Sequence, residues 1–278
     1  MTDCHTHTSI SPDGENTVSD GAQKAIQLNL DAYAVTEHCE ANRLFGPSED
    51  CKGKYNKEHY YFNFDIFQKS MSQNMKIKEM FSSSLNFING IELGQATHDF
   101  DSAEKIISDE RLDFTIGSMH ELPGKEDFAF LDYKKENINL LLSEYFSELL
   151  KLCTWGKFDV LGHLTYPLRY IEGEKKINVD ISCFDEIIMK CFRIIASYDK
   201  GIEINTSGLR QLYAKTFPEL RYIRMFRECG GKIITIGSDS HCTNDIGRGI
   251  SDGADLARAA GFDRVFYFKK HIPYSIQL

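Results

Sequence analysis

Short apolar runs alternate with amphipathic stretches along this chain, and a metal-ligating type of side chain falls just after one run after another. That rhythm limits the fold more than any other feature. The runs are Ala32–Thr36, Leu85–Ile91, Phe114–Gly117, Phe158–Gly162, Gly201–Ile204, Lys232–Ile236 and Arg264–Phe268, and the residues before His5 can supply one more. Runs of this length suit buried strands. Between them, Val18–Leu28, Asn139–Cys153, Ile187–Tyr198, Leu220–Cys229 and Gly253–Ala260 carry apolar residues at helical spacing. Gly230–Gly231 and Gly261 stand where helix C-caps belong.

Alternation of this kind predicts an α/β fold with a parallel sheet. No early Gly-x-Gly-x-x-Gly opens a helix, which disfavours a dinucleotide-binding sheet and leaves a closed or nearly closed β/α barrel as the expectation. No repeat, low-complexity tract or linker interrupts residues 1–278, so one domain is expected. Arg43–Ser84 is less regular. It opens with Gly46, Pro47 and Ser48 and turns aromatic at Tyr55, Tyr60, Tyr61, Phe62, Phe64 and Phe67. It reads as a loop and a long helix, serving either as an outer packing helix or as a cover for the barrel mouth.

Composition removes several classes. Apolar residues at 42% and aromatics at 12% exclude disorder as the main state. No stretch approaches the ~20 apolar residues of a membrane span, and the polar start does not resemble a secretion signal. The net charge of −9 argues against bulk attraction to nucleic acid or an anionic membrane. Eight scattered cysteines include no Cys-x-x-Cys pair, which fits reduced thiols in the cytoplasm.

His5 and His7 follow the first residues. Glu37 and His38, Glu92, His120, His163, and Asp239 with His241 each follow a predicted strand. The C-terminal strand ends of a β/α barrel share one face, so these residues would converge there. His-x-His in extended backbone points both imidazoles to one side. Imidazole and carboxylate together suit Zn²⁺, Mn²⁺ or Fe²⁺, and Glu92 has two oxygens with which to bridge two ions. Any one of these residues alone reads as a hydrogen-bonded histidine or a helix cap. Their joint placement points to a polynuclear metal site.

His5-Thr-His7-Thr8, Ser11-Pro12-Asp13-Gly14, Thr36-Glu37-His38, Gly90-Ile91-Glu92, Gly117-Ser118-Met119-His120, Gly162-His163 and Gly237-Ser238-Asp239-Ser240-His241 resemble, in order, the motifs of the PHP (polymerase and histidinol phosphatase) superfamily. The resemblance implies a distorted, TIM-like (β/α)7 barrel, the PHP fold, with three divalent ions (Zn, Mn or Fe). It implies His5, His7, Glu92 and Asp239 as ligands of a first ion. Glu92, His120 and His163 would hold a second, with Glu92 bridging. Asp13, His38 and His241 would hold a third, with Asp13 standing where some members carry histidine.

Within the superfamily the chain is most similar to the histidinol-phosphatases, through Glu203-Ile-Asn-Thr-Ser-Gly-Leu-Arg210 and His163-Leu-Thr-Tyr-Pro-Leu-Arg169-Tyr170. The match implies Arg169 and Arg210 as phosphate ligands, and guanidinium does pair with phosphate in a bidentate way. Arg248 and Tyr170 are further candidates for substrate contact, as is His98. Cys4, Cys39 and Cys242 neighbour proposed ligands and are expected to pack rather than ligate.

The implied activity is hydrolysis of L-histidinol phosphate to L-histidinol in histidine biosynthesis. A hydroxide bridging two ions would attack phosphorus, with Glu92, Asp239 and His241 as catalytic groups and one of the last two assisting the leaving alkoxide. The partner would be a small phosphomonoester, with no nucleic acid and no membrane. The alternatives are a related phosphoesterase acting on nucleotides or other small phosphomonoesters, and a barrel that binds metal without turnover.

Overall fold

Seven parallel strands lie side by side in sequence order: β1 (Thr2–Asp3), β2 (Ala32–Glu40), β3 (Phe87–Gly94), β4 (Phe114–Ser118), β5 (Val160–Leu161), β6 (Gly201–Asn205) and β7 (Ile234–Gly237). The computed structural model describes residues 1–41 and 64–278. The residues just past β1 close the sheet against β7. Cys4 donates its N–H to the Ile236 carbonyl at 2.9 Å, Asp239 to His5 at 2.8 Å, and His7 to Ser240 at 2.8 Å. The result is the expected distorted (β/α)7 barrel.

The strands are buried on both faces, as parallel strands roofed by helices must be. All of β3, Phe-Ile-Asn-Gly-Ile-Glu-Leu-Gly, is buried. Among the described residues the α-helices are α1 (Val18–Gln27), α2 (Phe64–Met80), α3 (Phe100–Ile107), α4 (Ile138–Trp155), α5 (Asp185–Ser197), α6 (Leu220–Glu228) and α7 (Ile250–Ala259). The helix α1 is held at its start by a capping box. Thr17 accepts the N–H of Asp20, and Asp20 accepts that of Thr17. At their far ends α6 and α7 are followed by Gly230 and Gly261 in left-handed backbone, as the sequence predicts. Leu141, Tyr145, Phe146 and Leu149 of α4 pack with Ile188, Phe192 and Ile195 of α5 outside the sheet, while Tyr33, Val35 and Phe87 pack with α1. No helix among the described residues is long and apolar enough to cross a membrane.

The expected strand Arg264–Phe268 exists, as β8 (Arg264–Lys269), but it does not join the parallel sheet. It pairs antiparallel with β9 (Ile272–Gln277), which the sequence reading missed. The reason is the turn. Lys270 and His271 both take left-handed backbone and send the chain straight back. The hairpin closes the barrel floor. The Phe268 ring stacks on Phe114 at 5.1 Å, among Cys4, Ala34, Ile88, Ile116 and Val160. The helix α3 was also missed. It is short and is started by Asp99, which accepts the N–H of Ser102. The strand β5 keeps only two residues of the expected run, and next to it the Asp159 carboxylate accepts the Thr115 N–H.

The cover or packing role weighed for Arg43–Ser84 divides. Residues 42–63 lie outside the described residues, whereas α2 buries Phe67 and Met71 in the core. The floor packing predicts that Phe268→Ala lowers unfolding stability by about 3 kcal/mol, the usual cost of an aromatic cavity. Urea unfolding followed by circular dichroism measures this, and a shift below about 1 kcal/mol would contradict the plug.

Candidate metal centre

The barrel mouth is built from strand ends. Asp3, wholly buried, accepts the N–H groups of Ser238 and Gly247 and the Ser238 hydroxyl, tying the start of the chain to the loop after β7. Past Asp3 the chain stays extended, so His5 and His7 both face inward while Thr6 points away and donates its hydroxyl to Ala34. Glu37 fixes the next turn. Its oxygens accept from the backbone and hydroxyl groups of Thr8 and Ser11. Asp239 sits in left-handed backbone (φ 52°), a conformation that aspartate tolerates better than most residues.

Glu92, 1% exposed, lies at the centre. Its Oε2 stands 3.3 Å from His5 Nε2, 3.5 Å from His7 Nε2 and 2.9 Å from His38 Nδ1. Its Oε1 stands 2.9 Å from His120 Nε2 and 2.6 Å from His163 Nε2. Asp239 Oδ1 completes the first group, 3.7 Å from His5 Nε2 and 3.4 Å from His7 Nε2. On the rim, Asp13 Oδ2 lies 3.1 Å from His241 Nε2 and 3.6 Å from His38 Nε2. The His7 ring stacks between His38 and His241, at 4.2 and 4.3 Å. All nine side chains that the sequence singles out therefore meet at one mouth. One further group of metal-capable side chains, His38, Glu40 and His120, was not expected.

Charge balance shows what this cage wants. Burial resists charge on His5, but Glu203, Glu92 and Asp239 outweigh it and hold its pKa well above the ordinary imidazole value. His120 is likewise resisted by burial, yet Glu92 and Glu40 push it up to about 10. Burial, reinforced by His38 and His241, pushes His7 down to about 3. Burial also opposes the charge on Glu92, but His120, His5 and His38 keep its pKa well below the usual carboxylate range. The carboxylates thus demand positive charge, and protons and divalent ions compete for the same nitrogens. Nitrogen and carboxylate donors without thiolate fit Zn²⁺, Mn²⁺ or Fe²⁺.

A cavity of about 680 Å³ opens over the cage. Arg169 and Arg210 line one part of it. Arg169 Nη2 donates to Ser207 Oγ at 2.8 Å and Asp239 Oδ2 at 2.9 Å, and its guanidinium lies over Tyr166 and Phe217 at 5.1 and 5.2 Å. Arg210 Nε is 3.3 Å from Asp245 Oδ2. Arg169 Nε and Arg210 Nη1 are buried with no hydrogen-bond partner among the described residues. Another part of the wall carries Glu40, Glu121 and Asp127, and Asp127 accepts the Tyr166 hydroxyl at 3.1 Å.

Sequence reasoning missed these three acids, because isolated acidic residues after a strand or in a loop look like solvated surface. Tyr170 does line the cavity, whereas Arg248 is mostly exposed and pairs with Asp245. Cys4 and Cys39 are buried in apolar clusters, as expected.

Residues 3–207 match the PHP domain family. A probable histidinol-phosphatase of Thermotoga maritima is 25% identical, over 91% of this chain and 89% of that protein. A histidinol-phosphatase of Lactococcus lactis subsp. lactis is 26% identical, over 96% and 93%. A crystal structure of the Lactococcus lactis histidinol phosphate phosphatase, complexed with zinc, L-histidinol and phosphate, superposes with a TM-score of 0.78 at 23% identity and covers 98% of both chains.

His98 lies behind the cavity wall, with Nδ1 3.9 Å from Glu121 Oε1. Burial, helped by Lys151, outweighs Glu148 and Glu40 and brings its pKa down to about 4. The unfolded chain, with an ordinary histidine near pH ~6.5, therefore binds this proton first as pH falls. His98 contributes its full share of stability above that pH and loses it towards pH 4, with a slope of at most about 1.4 kcal/mol per pH unit. Urea unfolding at pH 7 and pH 5 should show a smaller acid loss in His98→Gln than in wild type. Equal losses would mean that His98 is protonated in the fold.

Proposed function

The chain belongs to the PHP domain family, and from that membership we propose that it is a metal-dependent phosphomonoesterase hydrolysing L-histidinol phosphate to L-histidinol and phosphate. The observation that carries this is the division of Glu92, with one oxygen turned to His5 and His7 and the other to His120 and His163, beneath a cavity holding two arginines. Relatives named histidinol-phosphatase along nearly the whole chain support the choice of substrate. We read residues 1–278 as one PHP domain and place it in the cytoplasm.

The donor set suits ions on its own chemistry. His5 Nδ1 faces Glu203, which turns its Nε2 towards His7 Nε2, 3.1 Å away, and His7 is held neutral by burial. Two imidazole nitrogens that close, beside carboxylates, call for a shared cation, which a divalent ion supplies in place of a proton. His5, His7, Glu92 and Asp239 would hold one ion, Glu92, His120 and His163 a second, and Asp13, His38 and His241 a third. Bound there, divalent zinc, manganese or iron supplies Lewis acidity and activates water near neutral pH.

The remaining work belongs to the chain. Arg169, braced by Ser207 and Asp239 and bedded on two rings, lines the cavity with its buried Nε–H unpaired among the described residues, and Arg210 lines it with Nη1 unpaired. Together they neutralise phosphoryl oxygens, where charge must be balanced in the transition state. Glu121 and Asp127 suit the ammonium and imidazole of histidinol. Asp239 and His241, 3.8 Å apart, stand beside Arg169 and Arg210 and would serve the leaving oxygen. The net charge of −9 and the acidic wall disfavour a nucleic acid.

Chelation should abolish hydrolysis of L-histidinol phosphate, and Zn²⁺, Mn²⁺ or Fe²⁺ should restore it. Unchanged turnover after complete metal removal would end this reading, as would faster turnover of a nucleotide. Arg169→Ala should cut kcat/KM about 100-fold. Asp127→Asn should raise KM for histidinol phosphate several-fold while sparing an aryl phosphate that carries no cationic group, and an equal effect on both would remove Asp127 from substrate recognition.

A further inference from the structure

A histidine that ligates an ion has a second ring nitrogen, and whatever grips that nitrogen sets the tautomer and aims the ring. His5 Nδ1 lies 2.6 Å from Glu203 Oε1, and both side chains are almost wholly buried. The other Glu203 oxygen accepts the His163 backbone N–H at 3.0 Å and Asn205 Nδ2 at 3.3 Å. Across the cage, His120 Nδ1 lies 3.2 Å from Glu40 Oε1. Each carboxylate occupies space that only glycine leaves. A Cβ on Gly237 would collide with Glu203, and a Cβ on Gly94 with Glu40. His163 Nδ1, by contrast, has no hydrogen-bond partner among the described residues.

We propose that Glu203 and Glu40 are positioning residues of the metal centre, each holding one ligand histidine as the Nδ1–H tautomer so that its Nε2 faces an ion. Glu203 serves His5 and the first group, and Glu40 serves His120 and the second. Neither touches the reacting atoms. The two carboxylates hold opposite sides of Glu92, so the geometry assigns a separate brace to each ion that Glu92 would bridge. This rests on the metal-centre reading above.

The role of Glu203 requires a carboxylate. Three donors approach its two oxygens, and an amide accepts on one side only. Glu203→Gln must therefore turn its NH₂ either towards His5 Nδ1–H or towards the donors from His163 and Asn205. Such losses around a metal ligand typically weaken the ion about 10–100-fold.

The test uses the zinc-loaded protein in two measurements. Chelator competition on wild type, Glu203→Gln and Glu40→Ala should show one zinc weakened at least tenfold in each variant. Long-range ¹H–¹⁵N spectra of histidine-labelled, zinc-loaded wild type should assign protonated Nδ1 to both His5 and His120. That second measurement needs no variant to fold. Variants holding zinc as tightly as wild type, or protonated Nε2 at His5 or His120, would overturn the inference while leaving the metal centre intact. A wild-type protein that takes up no zinc, manganese or iron would bring down the metal-centre reading and this inference with it.

Discussion

A carboxylate cut off from water needs positive charge around it, and Glu92 is such a group. At 1% exposure it cannot be solvated, and an unpaired charge there would cost several kcal/mol. Both of its oxygens are therefore surrounded by imidazoles, five of them, arriving from β2 and from the chain just past β1, β4 and β5. Those histidines then need partners of their own, which brings in Glu203, Glu40, Asp239 and the Ser11–Glu37 pair. The polar mouth is this demand passed outward, one neighbour at a time. The apolar floor around Phe114 and Phe268 makes no such demand, so the two ends of the barrel obey different physics.

Much of this was legible in the sequence. Six barrel strands showed as apolar runs, and the short first one was inferred from what precedes His5. Eight of the nine cage residues stood out because histidine and acid rarely recur after strand upon strand without a reason, and Asp13 was implied only by the resemblance to the PHP motifs. The β8–β9 hairpin was half legible. Apolar content marks a strand, but a partner is chosen in three dimensions, and here the Lys270–His271 turn decides it. The helix α3 escaped because eight residues carry too little periodicity to register.

The hidden part of the site is the layer behind the cage. Glu203 was visible only as one letter of a longer motif. Its use appears once β6 sets it beside His5, 198 positions away along the chain. Glu40 and Asp127 lie among ordinary acidic residues, and only burial separates them from the rest. A carboxylate that orients a histidine has no sequence signature of its own, because its partner comes from another strand.

The seam that closes the barrel has a temporal consequence. His5 and His7 emerge from the ribosome before the backbone groups that fix their segment, which belong to Ile236, Asp239 and Ser240. At ~5–20 residues per second, translation separates the two by more than ten seconds. Through that interval the backbone partners of this segment do not yet exist. The cage is thus completed only once β7 and the residues just past it have been made.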